Sequence, residues 1–125
     1  MIDLDHFKAV NDNNGHHVGD IVLREAASVI QSNIRTIDTF GRYGGEEFVL
    51  IMPSACIDDG LGLAQRLCNK IAEYNFTHDI KMTCSMGVAE YVNGELAADF
   101  LKRADEALYT AKENGRNRAV KYTEN

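Results

Sequence analysis

The residues Arg42-Tyr43-Gly44-Gly45-Glu46-Glu47-Phe48, continuing into Val49-Leu50-Ile51-Met52, decide the fold of this chain. Two glycines between two strand-like runs predict a tight β-hairpin, because glycine readily adopts the positive φ that such turns use. Two glutamates follow at once and place paired negative charge at the tip of the turn. Adjacent like charges repel and do not help folding, whereas hard divalent cations prefer carboxylate oxygens. We therefore interpret the hairpin as a candidate site.

The composition of the chain predicts a single domain over residues 1–125. Hydrophobic residues make up 45% and charged residues 26% of the 125 residues, which is typical of a soluble globular domain. The net charge of −6 argues against non-specific binding to nucleic acid or to an anionic membrane, which requires a basic surface. It does not exclude a nucleotide, whose phosphates a metal ion and a few local cations can bind.

Cysteine usage and hydropathy predict a cytoplasmic protein. The three cysteines are widely spaced and form no CxxC pair, so we interpret them as reduced and mostly buried. No apolar run has transmembrane length, and Met1 leads directly into strand-like sequence rather than into a signal peptide. A chain that begins inside a strand is interpreted as part of something longer.

Hydrophobic periodicity and turn residues predict the order of the elements. We expect a strand over 1–5, a loop over 11–20, a helix over 21–34 with Asp20 as N-cap, hairpin arms over 38–43 and 48–52, a helix from Asp58 and Asp59 to about Tyr74, a strand over 80–91, a helix over 96–114 that stops at Gly115, and a strand over 119–122. A hairpin between helical connections predicts an α/β (α+β) fold with a mixed sheet packed by helices.

Several familiar motifs are absent from the sequence. It contains no Gly-x4-Gly-Lys-Ser/Thr phosphate loop, and Gly60-Leu61-Gly62 lacks the third glycine of a dinucleotide fingerprint. Asp3-x-Asp5 does not start a calcium loop, since the sixth position is Lys8 and the twelfth is Asn14. The four histidines show no ligand spacing, and no pattern for nucleophilic catalysis is present.

Asp3 and Glu46 are the first candidate pair. If the first strand lies beside the hairpin, the two carboxylates converge at one end of the sheet. Such a pair suits Mg²⁺, which takes a few protein oxygens together with water and substrate phosphates. The alternative is that both are solvated charges at strand ends, which are common.

Two further pairs allow a functional and a structural interpretation. Lys112 and Arg116, at the end of the last helix, either complement the helix dipole or bind phosphates. Asn11 and Asp20, which flank the polar loop, are either a turn residue and an N-cap or the amide and carboxylate that recognise a guanine base. Sequence alone leaves both choices open.

Arg35-Thr36-Ile37-Asp38 precedes the first hairpin arm. Taken by itself, an arginine three residues before an aspartate is typical of a surface ion pair or of a charge at a helix end, and such pairs contribute little to stability.

Taken together, these residues resemble the diguanylate cyclase (GGDEF) domain family, with Gly44-Gly45-Glu46-Glu47-Phe48 as a form of the signature. The resemblance extends over essentially the whole chain. It is carried by Met1-Ile2-Asp3-Leu4-Asp5-His6-Phe7-Lys8, Val10-Asn11-Asp12, Gly15-His16, Gly19-Asp20, Ser85-Met86-Gly87-Val88-Ala89, Ala104-Asp105-Glu106-Ala107-Leu108-Tyr109-Thr110-Ala111-Lys112 and Gly115-Arg116-Asn117.

The resemblance implies a fold like the polymerase palm and the nucleotidyl cyclases. It also implies the condensation of two GTP molecules to cyclic di-GMP, with release of two pyrophosphates, across a homodimer in which each domain holds one GTP. Asp3 and Glu46 would ligate Mg²⁺ or Mn²⁺ with help from the Leu4 carbonyl. Glu47 would add charge at a second metal position or help to activate the 3′-hydroxyl. Gly45 would leave room for the substrate against its backbone.

The remaining roles implied by the resemblance concern the nucleotide. Asn11 and Asp20 would recognise guanine. The groups that would hold the phosphates are Lys112, Arg116, Lys8 and the backbone amides around His6 and Phe7. Arg35 and Asp38 match the RxxD motif of the family's inhibitory product site, to which Arg66 would add a second arginine. Feedback inhibition by cyclic di-GMP is therefore expected.

The chain departs from the family at its start, since the usual preceding helix and its loop are absent, as is an upstream sensor or receiver domain. The parent protein is expected to carry such a domain and could be anchored in a membrane. One alternative function is a non-catalytic module that binds GTP or cyclic di-GMP. Another is a nucleotidyl cyclase of a different class, which would make a monocyclic product.

Overall fold

Five strands and four helices make up the computed structural model, which describes residues 1–124. The strands are β1 (Ile2–Leu4), β2 (Thr39–Gly44), β3 (Glu47–Ile51), β4 (Cys84–Val88) and β5 (Arg118–Lys121). The helices are α1 (Phe7–Asn14), α2 (His16–Gln31), α3 (Ile57–Glu73) and α4 (Ala97–Glu113), with a short 3₁₀ turn over Thr77–Asp79.

The strands form one mixed sheet in the order β2-β3-β1-β4-β5. The central strand β1 runs antiparallel to β3 on one side and to β4 on the other, and β5 runs parallel to β4. The chain thus places its first strand between two later ones, which confirms the predicted mixed sheet. It also places the hairpin of β2 and β3 directly beside β1.

Helices cover both faces of the sheet, because successive strand residues point to opposite sides. On one face, a Cβ at Gly60 of α3 would lie 3.1 Å from Val88 Cγ1. On the other face, a Cβ at Gly87 would lie 2.1 Å from the Ala104 carbonyl oxygen of α4. Since Gly87 has no side chain, α4 packs closely against β4. Asp3 lies on this α4 face, since Lys112 of α4 bonds to it.

The buried apolar core occupies the opposite face of the sheet. Ile2 and Leu4 of β1 contribute to it together with the buried sides of α1, α2 and α3. In α2 the residues Val22, Ala26 and Ile30 are fully buried, at the spacing of four that places them on one side of a helix. This packing fixes β1, and with it the alternate residues that face α4.

The loop predicted over 11–20 is wrong, because α1 and α2 occupy most of it. Only Gly15, with φ of 87°, separates the two helices. Val10 and Val18 are buried, whereas most of the turn-forming residues are exposed. Among these, Asn14 donates from Nδ2 to the Val10 carbonyl at 3.1 Å. Tertiary packing of a few apolar residues therefore overrides the local preference for turns.

The predicted N-cap at Asp20 is wrong for the same reason. α2 begins at His16 and has Gly15 as its N-cap, so Asp20 lies inside the helix. The helix predicted from Asp58 and Asp59 has Cys56 as its N-cap, and the Asp59 carboxylate accepts from the Cys56 amide at 3.4 Å. The predicted last helix is confirmed within one residue at each end.

The hairpin is confirmed, but the predicted reason for its glycines is wrong. Gly44 pairs with Glu47, so the turn consists of Gly45 and Glu46. Neither glycine has a φ in the left-handed region. Instead, the Arg42 guanidinium closes the turn, because its Nε and Nη2 donate to the Gly45 carbonyl at 2.9 and 2.6 Å.

The strand predicted over 80–91 is shorter than expected. Only Cys84–Val88 forms β4, because its neighbours β1 and β5 have three and four residues. The cysteine prediction is confirmed within residues 1–124: Cys68 and Cys84 are buried, Cys56 is exposed, and all three are free thiols. None of the helices in this part of the chain combines the length and the apolar character needed to cross a membrane.

Candidate active site

The end of β1 and the tip of the hairpin meet, as predicted. Asp3 is the partner of Glu47 in the register of β1 and β3. The Leu4 amide donates to the Glu46 carbonyl at 3.3 Å, which fixes the turn to the central strand. The predicted metal ligands are Asp3, Glu46 and the Leu4 carbonyl. Their backbones are therefore neighbours, because Asp3 pairs with Glu47 and Leu4 bonds to Glu46.

Asp3 is a buried carboxylate that is only half satisfied. Its Oδ2 accepts from Lys112 Nζ, whereas Oδ1 is buried and has no hydrogen-bond partner within residues 1–124. Burial is the largest influence and raises the pKa of Asp3, the Lys112 hydrogen bond and charge lower it, and Glu46 and Asp5 raise it further. The net direction is upward, so the site disfavours this negative charge and leaves one oxygen available to a cation.

The pKa of Glu47 is raised as well. Burial and the charges of Asp3 and Asp105 raise the pKa of Glu47, while Lys112 lowers it. A cation among these carboxylates would relieve both effects. Within residues 1–124, no three His, Cys, Asp or Glu side chains converge on one point. Carboxylate oxygens such as those of Asp3 and Glu47 are the donors that a hard cation like Mg²⁺ takes, together with water and phosphate oxygens.

The end of α4 brings the Lys112 ammonium group to the same place. Lys112 lies in its last turn and contacts Asp3 rather than a helix carbonyl, so its position is not explained by the helix dipole alone. Arg116, which follows Gly115, has a φ of 65°. Its amide donates to the Ala111 carbonyl at 3.0 Å. Its guanidinium makes no hydrogen bond or ion pair to any residue of 1–124.

The N-terminus of α1 lies next to the same strand end. β1 ends at Leu4, and His6, in the left-handed region with φ of 56°, turns the chain into α1 at Phe7. The first amides of a helix lack intrahelical partners and attract anions. Lys8 is exposed in the first turn of this helix.

Asn11 and Asp20 lie on neighbouring helices. The two helices pack so closely that a Cβ at Gly19 would lie 1.8 Å from Asn11 Oδ1. Asn11 is therefore held beside the residue that precedes Asp20. The Asp20 carboxylate makes no hydrogen bond or ion pair within residues 1–124, so it has no structural role of that kind. A Cβ at Gly45 would meet no atom within 4 Å, so the hairpin tip is open.

Arg35 and Asp38 form a separate and internally satisfied pair. Arg35 Nε and Nη2 donate to Asp38 Oδ1 at 3.0 and 2.8 Å, and the Arg35 amide donates to Oδ2 at 2.8 Å. Arg35 Nη2 also donates to the Pro53 carbonyl at 2.7 Å. Burial alone would raise the pKa of Asp38, but these hydrogen bonds and the charge of Arg35 outweigh it and lower the pKa.

Arg35 and Arg66 line one cavity of about 380 Å³, whereas Asp38 is buried behind Arg35 and fixes its orientation. The other residues around this cavity are Asn33, Met52, Ala55, Asp58, Asp59, Gly62 and Leu63. A larger and mostly apolar cavity of about 520 Å³, between β3, β4, α3 and α4, has none of the predicted site residues in its lining.

Asp5 is a buried residue for which no role was predicted. Its carboxylate accepts from Thr83 Oγ1 and Ser85 Oγ at 2.7 Å each and from the Asn117 amide at 3.0 Å. The only feature of the sequence that pointed to Asp5 was its alternation with Asp3, because residues two apart in a strand share a face.

Comparison with known proteins places these features in context. A family model described as "Diguanylate cyclase, GGDEF domain" matches residues 1–118. Diguanylate cyclase A of Treponema denticola is 43% identical over 124 residues, which is 96% of this chain and 33% of that protein. Response regulator PleD of Caulobacter vibrioides is 44% identical over 126 residues, 96% of this chain and 28% of that protein. The chain thus spans a third or less of these relatives.

Solved structures give the same result for the fold. The active GGEEF domain of a diguanylate cyclase from Vibrio cholerae superposes with a TM-score of 0.93 at 37% identity, covering 99% of this chain and 81% of that one. The GGDEF domain of DgcB from Caulobacter crescentus, in complex with c-di-GMP, gives 0.92 at 35% identity and covers 97% and 74%. These likenesses confirm the predicted family resemblance and the predicted fold class.

Proposed function

The chain belongs to the diguanylate cyclase GGDEF domain family, and from this premise we propose that it condenses two GTP molecules to cyclic di-GMP. The observation that carries the proposal is the buried Asp3 carboxylate, half paired with Lys112 and half unpartnered, at the tip of the Gly44–Phe48 hairpin. Burial, more than any other cause, raises the pKa of this carboxyl, and the charges of Glu46 and Asp5 raise it further. A purely structural carboxylate in such a place would be fully hydrogen-bonded.

Asp3, Glu46 and the Leu4 carbonyl would hold Mg²⁺ or Mn²⁺. Such an ion supplies charge that stabilises the oxygens of a transferring phosphoryl group. The chain's own contribution is to fix two carboxylates at the meeting point of β1 and the hairpin. The bond from the Leu4 amide to the Glu46 carbonyl keeps their spacing constant.

The triphosphate lies between the end of α4 and the start of α1. Lys112 and Arg116 bind its β- and γ-phosphates, with support from Lys8 and the amides around His6 and Phe7. Lys112 now neutralises Asp3, so in the substrate complex its ammonium group turns from the carboxylate to a phosphate oxygen. The Arg116 guanidinium has no competing partner within residues 1–124 and is available to form charge-assisted hydrogen bonds.

Asn11 and Asp20 bind the guanine base. The Asp20 carboxylate accepts from the N–H donors of the base, and the Asn11 amide pairs with the remaining edge. The close packing of Gly19 against Asn11 restricts the position of that amide, which favours discrimination between bases. The open space at Gly45 leaves room for the nucleotide to lie against the hairpin backbone.

Catalysis takes place between two copies of the domain, each holding one GTP. The 3′-oxygen of each nucleotide forms a bond to the α-phosphorus of the other, the 3′-hydroxyl proton leaves, and pyrophosphate departs from each α-phosphorus. Two such steps close the ring of cyclic di-GMP. Glu47 assists, either by adding charge near the phosphates or by helping to activate the 3′-hydroxyl.

The product inhibits the enzyme at the cavity of Arg35 and Arg66. Its phosphodiester groups are anions that arginine binds through paired N–H donors. Asp38 holds Arg35 in place through three hydrogen bonds, so the guanidinium is presented in one orientation. In the cell, the domain acts in the cytoplasm as part of a longer signalling protein whose other domains bring two copies together.

Incubation with GTP and Mg²⁺, followed by mass spectrometry of the products, tests the proposal. We expect cyclic di-GMP and pyrophosphate in a ratio of one to two, with a rate that rises steeply with protein concentration. A monocyclic guanosine phosphate would instead assign the chain to another class of nucleotidyl cyclase. GTP binding without any product at high protein concentration would leave a non-catalytic binding module.

A further inference from the structure

Asp5 is a buried carboxylate outside the set of groups proposed to touch substrate. It is 5% exposed, and its two oxygens accept three hydrogen bonds, from Thr83, Ser85 and the Asn117 amide. No Lys, Arg or His within residues 1–124 pairs with it. A buried charge without a cation is unfavourable unless hydrogen bonds satisfy it. The three donors therefore satisfy both oxygens of this buried side chain.

The donor from Asn117 connects Asp5 to the turn between α4 and β5. Gly115, Arg116 and Asn117 have φ of 115°, 65° and 50°, so three consecutive residues lie in the left-handed region. For Arg116 and Asn117 this backbone is strained, and such strain persists only where the surrounding structure imposes it. The bond from the Asn117 amide to Asp5 is a partly buried, charge-assisted contact that does so.

In the chain, Arg116 lies between two residues that bond either to β1 or to the residue that follows β1. On one side of it in the chain, Lys112 bonds to Asp3; on the other side, Asn117 bonds to Asp5. Asp3 and Asp5 are two residues apart and present their side chains to the same face. The turn that carries Arg116 is thereby held against the end of β1, although the Arg116 guanidinium itself has no partner within residues 1–124.

From this geometry we propose that Asp5 is a positioning residue for the phosphate-binding Arg116. It acts through the Asn117 amide, which sets the backbone of the turn, and it does not touch the nucleotide. The inference rests on the proposed function, because it assigns a purpose to the Arg116 side chain. The tether itself, however, can be measured without any nucleotide.

The first experiment measures affinity for a non-hydrolysable GTP analogue by calorimetry, together with kcat and KM for GTP. Asp5→Ala removes the acceptor of the Asn117 amide and should weaken analogue binding about tenfold, as expected for a lost hydrogen bond to a charged group. Asp5→Asn should retain most of the affinity, because its amide oxygen can accept from Asn117 while its nitrogen donates to the Ser85 hydroxyl. Thr83→Val, which removes a different donor to the same Oδ2, is the matched control and should leave the affinity unchanged.

The decisive comparison is the effect of Asp5→Ala in the wild-type protein with its effect in the Arg116→Ala variant. If Asp5 acts through Arg116, then adding Asp5→Ala to Arg116→Ala should cause no further loss of affinity. An equal loss in both backgrounds, or an equal loss in Asp5→Ala and Thr83→Val, would overturn the proposal, since each would show that the carboxylate acts on general stability.

The second experiment uses the wild-type protein and remains informative if Asp5→Ala does not fold. The Asn117 amide lies in an exposed turn, so its hydrogen exchange, followed by NMR, should be fast unless the bond to Asp5 protects it. We expect protection of at least about a hundredfold over an unstructured amide, consistent with a sub-global opening. Exchange at the unprotected rate would exclude the tether. A protected amide in a protein that binds no GTP analogue would confirm the tether, while overturning the proposed function and the phosphate role of Arg116.

Discussion

Asp3 and Asp38 are both buried aspartates beside a basic side chain, yet their electrostatic states are opposite. Asp38 has both oxygens hydrogen-bonded by Arg35, and its pKa is lowered despite its burial. Asp3 has one oxygen bonded to Lys112 and the other without a partner in residues 1–124, and its pKa is raised. The first pair is complete within the fold. The second pair leaves one oxygen of Asp3 without a hydrogen bond within residues 1–124.

This difference distinguishes two kinds of site. A satisfied pair such as Arg35 and Asp38 presents a preformed group to a ligand, so binding requires little rearrangement. At Asp3, with Glu46 and Glu47 nearby, one carboxylate oxygen has no hydrogen bond within residues 1–124, so a bound cation would add stabilisation. The proposed product site is thus preorganised, whereas the proposed substrate and metal site is incomplete without its ligands.

The largest expected effect separates the two sites by activity. Glu46→Gln removes a carboxylate charge at the hairpin tip, and we expect kcat to fall by about a hundredfold or more, as for loss of a group that stabilises the transition state. Binding of cyclic di-GMP at Arg35, measured by calorimetry, should not change. Glu106→Gln, at an exposed position of α4, is the matched control and should leave both quantities unaltered. Loss of product binding in Glu46→Gln would contradict the separation of the sites.

The converse change tests the product site. Arg35→Ala removes the guanidinium that Asp38 orients, and cyclic di-GMP should inhibit at least about tenfold more weakly, since charge-assisted bonds are lost. Turnover at low product concentration should remain, because the Asp3 site is not touched. Initial rates measured over a series of added cyclic di-GMP concentrations check this. Lys70→Ala, on the exposed side of α3, serves as control. Unchanged inhibition would show that the product binds elsewhere.

The fold was predictable where periodicity and glycine placement agreed with the tertiary structure. The hairpin, the mixed sheet and α4 follow from the apolar pattern, and Gly44 and Gly45 marked the position of the turn although neither has the positive φ that was expected. The region 11–20 was not predictable, because most of its turn residues lie on the exposed faces of two helices that only Gly15 separates. The helices exist because a few apolar side chains, such as Val10 and Val18, are buried against the core.

For the candidate site, the meeting of Asp3 with the hairpin was predictable, whereas the side-chain contacts were not. The convergence of Asp3 with the hairpin followed from the assumption that β1 lies beside it, which the register confirms. The bond between Lys112 and Asp3 spans 109 positions in the chain, and no local pattern encodes such a pairing. The role of Asp5 was missed for the same reason, since its partners lie at Thr83, Ser85 and Asn117.

A smaller effect concerns the stability of the satisfied pair. Asp38→Asn should lower the free energy of unfolding at neutral pH by about 1–2 kcal/mol, because hydrogen bonds to a charged group are weakened while half of Arg35 remains solvated. The pKa of Asp38 is lowered in the folded state, so its stabilisation is present above its ordinary value of 3.8 and is lost as the pH falls through the folded value. Urea unfolding at neutral pH and below pH 3.8 should therefore show a difference that shrinks in acid.

The smallest effect has the opposite sign. The pKa of Asp3 is raised in the folded protein, so its charge destabilises the metal-free fold at neutral pH. The stability that its protonated form contributes at low pH is lost as the pH rises from 3.8 through the folded pKa. Asp3→Asn should thus raise the midpoint of urea unfolding in EDTA at neutral pH, by less than Asp38→Asn lowers it, and the gain should vanish in acid.

Addition of Mg²⁺ and a non-hydrolysable GTP analogue should make the wild type more stable than Asp3→Asn, because only the wild type then gains a ligand at Asp3. If Asp3→Asn and Asp38→Asn destabilise the metal-free protein equally, both carboxylates are satisfied structural groups and the contrast between the two sites is wrong.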